Sequence, residues 1–339
     1  MEICITEECN LKCPYCYIKQ ERGVLTANTL EQALVNLLAH KEELGISAVS
    51  VSYFGGEPTL YPETLLASHE TIKRHLTKIS ASYTLITNGW GLRDDELWSW
   101  IQKEGIGVSL SFDGLWQEDR AWVEEVIKKR GITSVKTMIY PEGLREASLR
   151  DNAGYLLSLG VSYVDMSLVR DPIWSDEDIE LYREQLKQLA CWYVSIFLDT
   201  GLKLSPFWLF IADSIYGKRD YACFAGHNGL ALMPDGCWYP CARFGTNKEY
   251  CIIDKEGNLN KRRVEVFRYC NNPKHYVGCQ GCKYYDFCNG GCIYSQIHWI
   301  DGLMPIESVC KLFRITFSWS HWVWDQLKDY PTFRELFRR

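Results

Sequence analysis

A chain of 339 residues, 47% of them hydrophobic, is long enough to bury a large core and to form two domains, or one large domain with an extension. Its formal net charge of −6, with no local basic stripe, excludes the electrostatic footprint of nucleic-acid binding. No apolar run reaches the roughly 18 residues of a membrane span, and Met1-Glu2-Ile3-Cys4 lacks the basic start of an export signal; a cytoplasmic protein that binds neither membrane nor nucleic acid is expected.

In chain order, short β-branched runs alternate with amphipathic helical patterns, which predicts repeated β/α units and a parallel sheet. Strands are expected at 1–5, 48–54, 82–87, 106–112, 133–139 and 161–168. Between them Leu30, Leu34, Leu37 and Leu38 recur at helical spacing, and further apolar helical faces run through 62–79, 94–104, 117–130, 148–159 and 176–200. Six units are too few to close an eight-stranded barrel. The expected fold is therefore α/β, a partial (β/α)6 TIM-like barrel over residues 1–205, with its chemistry at the C-terminal ends of the strands. Residues 206–339 form a second, cysteine-rich region. Leu230–Tyr239 reads as a hairpin turning at Pro234-Asp235-Gly236. The tail 311–328 places Leu312, Phe313, Phe317, Trp324 and Leu327 on one helical face suited to docking.

Fifteen cysteines in a long chain without an export signal point to metal or cluster ligation, not to a disulfide framework. Four lie in the first 16 residues, Cys191 stands alone, and ten run from Cys223 to Cys310. Cys9, Cys13 and Cys16 follow the first strand within Cys9-Asn10-Leu11-Lys12-Cys13-Pro14-Tyr15-Cys16-Tyr17. A four-iron cluster wants one external ligand per iron, so three thiolates leave one iron open. A structural zinc site wants a fourth ligand, and Cys4 is the only nearby candidate.

This Cys-x3-Cys-x2-Cys motif, with Tyr15 as the aromatic before the last cysteine, resembles the signature of the radical S-adenosylmethionine superfamily. Gly55-Gly56-Glu57-Pro58 after the second strand resembles that family's GGEP motif. The resemblance implies that Cys9, Cys13 and Cys16 hold a catalytic [4Fe-4S] cluster whose open iron is chelated by S-adenosyl-L-methionine. Tyr15 would lie near the adenine. Glu57 or the neighbouring carbonyls of Gly55, Gly56 and Pro58 would accept hydrogen bonds from the ligand ammonium, and two glycines permit close backbone approach. Thr87-Asn88-Gly89 and Ser111-Phe112-Asp113-Gly114 resemble segments that shape the cofactor pocket, with Asn88 and Ser111 as contacts, and each is equally an ordinary turn after a strand. Lys136 is either a partner for the methionine carboxylate or a solvated lysine.

Cys223-x12-Gly236-x4-Cys241, Cys279-x2-Cys282-x5-Cys288-x3-Cys292 and Cys310 resemble the seven-cysteine SPASM extension of radical enzymes that act on peptides and proteins. The resemblance implies two auxiliary [4Fe-4S] clusters, the nearer on Cys223, Cys241 and Cys292 and the farther on Cys279, Cys282, Cys288 and Cys310. Two such clusters need eight thiolates and the pattern supplies seven. The stretch Asp213–Lys218 holds no cysteine, so the near cluster keeps an open iron or recruits Cys237, Cys251 or Cys270. Cys4 and Cys191 read as small buried hydrophobes.

The implied reaction begins with a 5′-deoxyadenosyl radical and needs an electron donor such as flavodoxin or ferredoxin. Tyr239-Pro240-Cys241-Ala242-Arg243-Phe244 is similar to a stretch in thioether- and crosslink-forming peptide maturases, which favours modification of a ribosomal peptide. Only eight residues precede Cys9, so a separate leader-binding protein, or recognition through the barrel mouth alone, is expected. Sulfatase maturation is the alternative, although Ala242 stands where that group carries an acid. A dehydrogenase or epimerase of small molecules and a zinc-bearing interaction protein are the others.

Overall fold

The computed structural model describes residues 1–18, 23–118, 120–207, 223–226, 228–245, 247–272, 275–288, 290–300 and 302–337. The segment 213–218, with its missing thiolate, lies outside them. Among the described residues, no helix is long and apolar enough to cross a membrane. The chain packs as two compact units, Met1–Leu110 with Phe224–Asn271, and Ser111–Cys223 with Asn272–Arg339. Packing thus divides the chain differently from its cysteine distribution.

The described strands are β1 (Glu2–Thr6), β2 (Ala48–Gly55), β3 (Ser80–Thr87), β4 (Gly107–Ser111), β5 (Ser134–Ile139), β6 (Tyr163–Leu168), β7 (Lys203–Leu204), β8 (Ala231–Leu232) and β9 (Trp238–Tyr239). All six expected strands are present, and the two-residue β7 is an addition too short to leave a periodic signal. In the first unit the order is β4-β3-β2-β1-β8-β9. Neighbours are parallel except in the β8–β9 hairpin, which turns where the sequence predicts. Glu2 sits opposite both Ser52 and Ala231, and Ile3 opposite both Tyr53 and Leu232, so β1 is hydrogen-bonded along both edges.

Helix α1 (Ala27–Ala39) starts where the Thr26 side chain accepts from the Thr29 N–H, and it buries Leu30, Ala33, Leu34 and Leu37. The indole N–H of fully buried Trp238 donates to the Ala33 carbonyl at 2.9 Å, fastening the hairpin to this helix. The helix Pro62–His75 opens with proline in its first turn and ends with Lys73, Arg74 and His75 against its negative pole. It stops four residues short of the expected end, because a turn from Leu76 to Ile79 feeds β3. Its His69, wholly buried, bonds the Tyr53 hydroxyl of β2 at 2.8 Å and Glu104 at 3.3 Å. This network braces the strand that carries Gly55.

In the second unit β7, β6 and β5 are parallel, with Ser134 opposite Tyr163 and Ile139 opposite Leu168. The long helix Asp176–Thr200 begins with a capping box between Ser175 and Asp178. Its period turns Leu186, Leu189, Ala190 and Tyr193 inward and leaves Cys191 exposed, which corrects the expectation that Cys191 is a buried hydrophobe; Cys4, on β1, is buried. The tail helix Glu307–Leu327 buries Leu312, Phe313, Phe317 and Leu327 and bonds Asp176–Thr200 through Thr316 and the Tyr182 hydroxyl at 2.7 Å. That is the docking face the sequence predicts except at Trp324, which is half-buried and packs on Phe333 and Phe337 instead. Helix Pro141–Glu146 was not anticipated; at six residues it is too short to show a period.

Burial holds the His69 imidazole below its ordinary pKa, against the pull of Glu104. The unfolded chain therefore binds a proton that the native state refuses, and the stability held above about pH 6.5 should fall as the pH drops toward the native value. Urea midpoints measured from pH 7.5 to pH 5 should decline for the unsubstituted chain and decline less for His69→Gln.

Candidate functional site

The cysteine loop leaves β1 at the C-terminal edge of the parallel strands. Cys9 and Cys13 are half-buried and Cys16 is exposed. A tight turn bonds the Cys16 N–H to the Cys13 carbonyl at 3.1 Å, bringing two of the three together. The Leu11 N–H lies 3.4 Å and the Asn88 side-chain amide 3.9 Å from the Cys9 sulfur. Burial raises the Cys9 thiol above its ordinary range, and the charges of Glu57 and Cys16 add to the rise while the Leu11 N–H opposes it. A bound metal reverses that balance by favouring thiolate. Among the described residues, no three Cys, His, Asp or Glu side chains close around a single ion. Three thiols of one loop, with N–H donors at a sulfur, are a donor set that fits a thiolate-ligated cluster.

The Gly55-Gly56-Glu57-Pro58 turn is fixed directly to the base of this loop. The Gly56 N–H donates to the Thr6 carbonyl at 2.7 Å and the Glu57 N–H to the Glu8 carbonyl at 2.8 Å. A Cβ on Gly55 would stand 2.1 Å from the Thr6 carbonyl oxygen, and one on Gly56 2.1 Å from that of Glu8. Only glycine lets these backbones approach so closely. Glu57 itself is 0% exposed. Its Oε1 accepts from the Thr59 N–H at 2.9 Å, the Thr59 hydroxyl at 2.6 Å and the Thr87 hydroxyl at 2.7 Å, and its Oε2 accepts from the Asn88 N–H at 2.7 Å.

The sequence offered a ligand ammonium two kinds of acceptor, this carboxylate or the carbonyls of the turn. The structure commits the carboxylate to four protein donors. Burial raises the Glu57 carboxyl, and all four donors pull it back down. Pro58 is buried and begins a short turn that Glu57 caps through Thr59. Asn88 continues the chain of bonds, donating from its side chain to Asn10 at 2.9 Å and accepting from Trp90. Sequence reading passed over Thr59 and Asn10; an acid two residues before a threonine was the available signal of a side-chain cap.

Tyr15 is half-buried on the cysteine loop. Next to Cys16, the Tyr17 ring lies 5.7 Å from the Arg243 guanidinium, a cation–π separation that joins the cysteine loop to the stretch after Cys241. The Ala242 N–H donates to the Glu2 carboxylate at 3.1 Å. In the second unit, Ser111-Phe112-Asp113-Gly114 is pinned as a corner: the Phe112 N–H reaches the Lys136 carbonyl at 2.9 Å and Asp113 accepts from Met138 at 2.9 Å. Ser111 is half-buried at its start.

The second unit also holds a cavity lined by Cys279, Cys282, Cys288, Cys292 and Cys310 together with Arg170 and Arg314. Burial and the neighbouring sulfurs push the Cys288 thiol up to about 11. Cys279 and Cys310 are raised as well, first by burial. Arg314, one helical turn beyond Cys310, sets its positive charge beside the Cys310 and Cys282 sulfurs. All four cysteines expected at the farther cluster meet here, with Cys292 on the same wall. Of the near set, Cys241 belongs to the first unit and Cys223 and Cys292 to the second. The spare cysteines lie in the first unit: Cys270 is buried at the end of the helix Lys261–Cys270, and Cys237 and Cys251 are near enough to shift each other's pKa.

Residues 3–170 match the model of the Radical SAM superfamily. The chain is 22% identical to a cysteine-type anaerobic sulfatase-maturating enzyme of Clostridium novyi (strain NT), over 85% of each chain. Among solved structures it is similar to a histidine-tagged form of anSMEcpe with bound AdoMet, at a TM-score of 0.77 and 18% identity over 99% of this chain and 97% of that one. It is also similar to Streptococcus suis SuiB bound to its precursor peptide SuiA, at 0.57 and 18% over 91% and 75%.

Glu57→Gln puts an amide N–H₂ where only donors converge, so at least one buried donor loses its acceptor. A loss of about 1–3 kcal/mol is expected in urea unfolding. Thr87→Val removes one donor of four and should cost less, about 1 kcal/mol. Equal losses would mean that the carboxylate is not the hub of the network.

Proposed function

Because the chain belongs to the radical SAM superfamily, we propose that this iron–sulfur-dependent, S-adenosylmethionine-cleaving enzyme is a SPASM-type maturase that oxidatively modifies or crosslinks residues of a ribosomal peptide. The observation that carries the reading is the pairing, in one chain, of a three-cysteine loop with a separate cavity lined by five more cysteines. A peptide-bound relative supports it, since SuiB is similar over most of this chain and its structure holds a precursor peptide.

When bound, S-adenosylmethionine on the reduced cluster supplies a 5′-deoxyadenosyl radical that takes a hydrogen atom from an unactivated C–H bond. The residues of this chain do the positioning. Cys9, Cys13 and Cys16 hold the cluster, and Tyr15 and Asn88 border the ligand. The carbonyls of Gly55, Gly56 and Pro58 accept from its ammonium while Glu57 holds their turn in place, and Ser111 contacts the ligand from β4. Cys279, Cys282, Cys288 and Cys310 would hold the farther auxiliary cluster, and Cys223, Cys241 and Cys292 the nearer one. Arg243, whose guanidinium lies over the Tyr17 ring, would bind a substrate carboxylate or tune the nearer cluster.

Sulfatase maturation is the second reading, favoured by similarity to the Clostridium novyi enzyme over most of both chains and opposed by Ala242. The test is anaerobic turnover of the iron-loaded protein with S-adenosylmethionine, a reductant and cysteine-containing peptides. Peptide-dependent 5′-deoxyadenosine with a product short of two hydrogens supports crosslinking; a hydrazine-reactive aldehyde supports formylglycine. Replacing Cys9, Cys13 and Cys16 together with Ala should abolish cofactor cleavage and remove one cluster's worth of iron. Retained cleavage would sink the catalytic assignment.

A further inference from the structure

Outside the candidate cluster ligands, the first unit brings two thiols together by a specific backbone device. The N–H groups of Ile252 and Ile253 both donate to the Trp238 carbonyl, at 2.7 and 3.3 Å, and the Trp238 N–H returns a bond to Ile253 at 2.9 Å. Two residues opposite one is a β-bulge. In a regular antiparallel ladder Trp238 opposite Ile253 would turn Cys237 and Cys251 to opposite faces, because side chains alternate along each strand. The extra residue resets the alternation and carries Cys251 to the face of Cys237, one diagonal step away.

The rest of that face holds Cys237 still. Asp235 accepts from the Cys237 N–H at 3.0 Å and from the Tyr239 hydroxyl at 2.7 Å. Cys237 is 8% exposed and Cys251 is half-buried, so Cys251 is the sulfur a small reagent meets first. The two thiols are near enough to shift each other, Cys237 downward and Cys251 upward. Neither lines the cavity that holds Cys279, Cys282, Cys288, Cys292 and Cys310.

We propose that Cys237 and Cys251 are a redox-active dithiol that closes to an intramolecular disulfide by exchange with a low-molecular-weight disulfide. Cys251 gives up its proton to solvent and its thiolate attacks the external S–S bond; the departing small thiolate takes up a proton from solvent, and Cys251 is left as a mixed disulfide. Cys237 in turn gives up its proton and attacks the Cys251 sulfur, the Cys237–Cys251 bond forms, and the second small thiolate leaves and takes up a proton. Two protein thiols lose two electrons and two protons, and one external disulfide becomes two thiols. The product ties off the segment that carries Cys241 and Arg243, so its formation reports on the oxidation state of the surroundings directly beside a candidate cluster ligand. The inference stands apart from the maturase reading, since it needs neither substrate nor turnover.

The test uses the full-length, iron-loaded chain, prepared reduced and anaerobic and then exposed to oxidised glutathione. The protein is denatured in excess maleimide, digested without reductant and mapped by mass spectrometry. The expected result is a Cys237–Cys251 linked peptide with bound iron unchanged before denaturation. In Cys237→Ala, Cys251 should be recovered as its glutathione mixed disulfide with iron content again unchanged. Recovery of both cysteines of the unsubstituted chain as maleimide adducts overturns the proposal, as does a disulfide from Cys237 to any other cysteine. Loss of iron in Cys237→Ala also overturns it, because Cys237 would then be a cluster ligand.

Discussion

A carboxylate with no solvent exposure must find its solvation inside the protein, and Glu57 finds it in four donors from two chain segments. The arrangement makes the ends of β2 and β3 conditional on each other. Thr59 lies just past β2, Thr87 closes β3, and Asn88 is the next residue. The backbone of the same turn holds the exit of β1 through Thr6 and Glu8. Three strand ends thus meet at one buried charge, and the cysteine loop hangs from that junction. Asn88 completes the connection by reaching Asn10 and the Cys9 sulfur.

The cysteine cavity of the second unit is held by different means. Tyr284, Ile306, Val309, Phe313 and Phe317 form an apolar cluster against which Cys282 and Cys288 pack, and Tyr284 stacks on Phe317 at 4.9 Å between ring centres. Sulfurs in such a setting resist ionisation, as the elevated Cys288 thiol records. Arg314 supplies positive charge at two of the sulfurs. On the proposed reading these opposing pressures are resolved by iron, which makes metal loading and local folding a single process.

The fold was legible because its signals are periodic. Six β-branched runs and the helical spacing of leucines through 30–38 need no tertiary information, and the hairpin was announced by Pro234-Asp235-Gly236. The gathering of Cys279, Cys282, Cys288 and Cys310 was readable from spacing joined to a family resemblance. What escaped depends on contacts far apart in sequence. Nothing near Glu57 announces that Thr87, thirty residues away, will satisfy it. The meeting of Cys237 and Cys251 rests on a bulge, a backbone irregularity without a compositional mark. Cys191 was misjudged because a cysteine's usual burial says less than its angle on the helix, which its buried neighbours Leu189, Ala190 and Tyr193 already fix.

Strand β1, which leads into the cysteine loop, owes one of its two edges to residues more than two hundred positions later. A fragment ending near residue 205, the cut that the cysteine distribution invites, would strip β8 from that edge and uncover the face of α1 where Trp238 is seated. The exposed row of backbone donors and acceptors beside buried Ile3 and Ile5 would then be a template for pairing with another chain. Expressed alone, such a barrel fragment is an aggregation hazard, and the first unit keeps the strand beneath its cysteine loop from pairing elsewhere by borrowing from the far end of its own sequence.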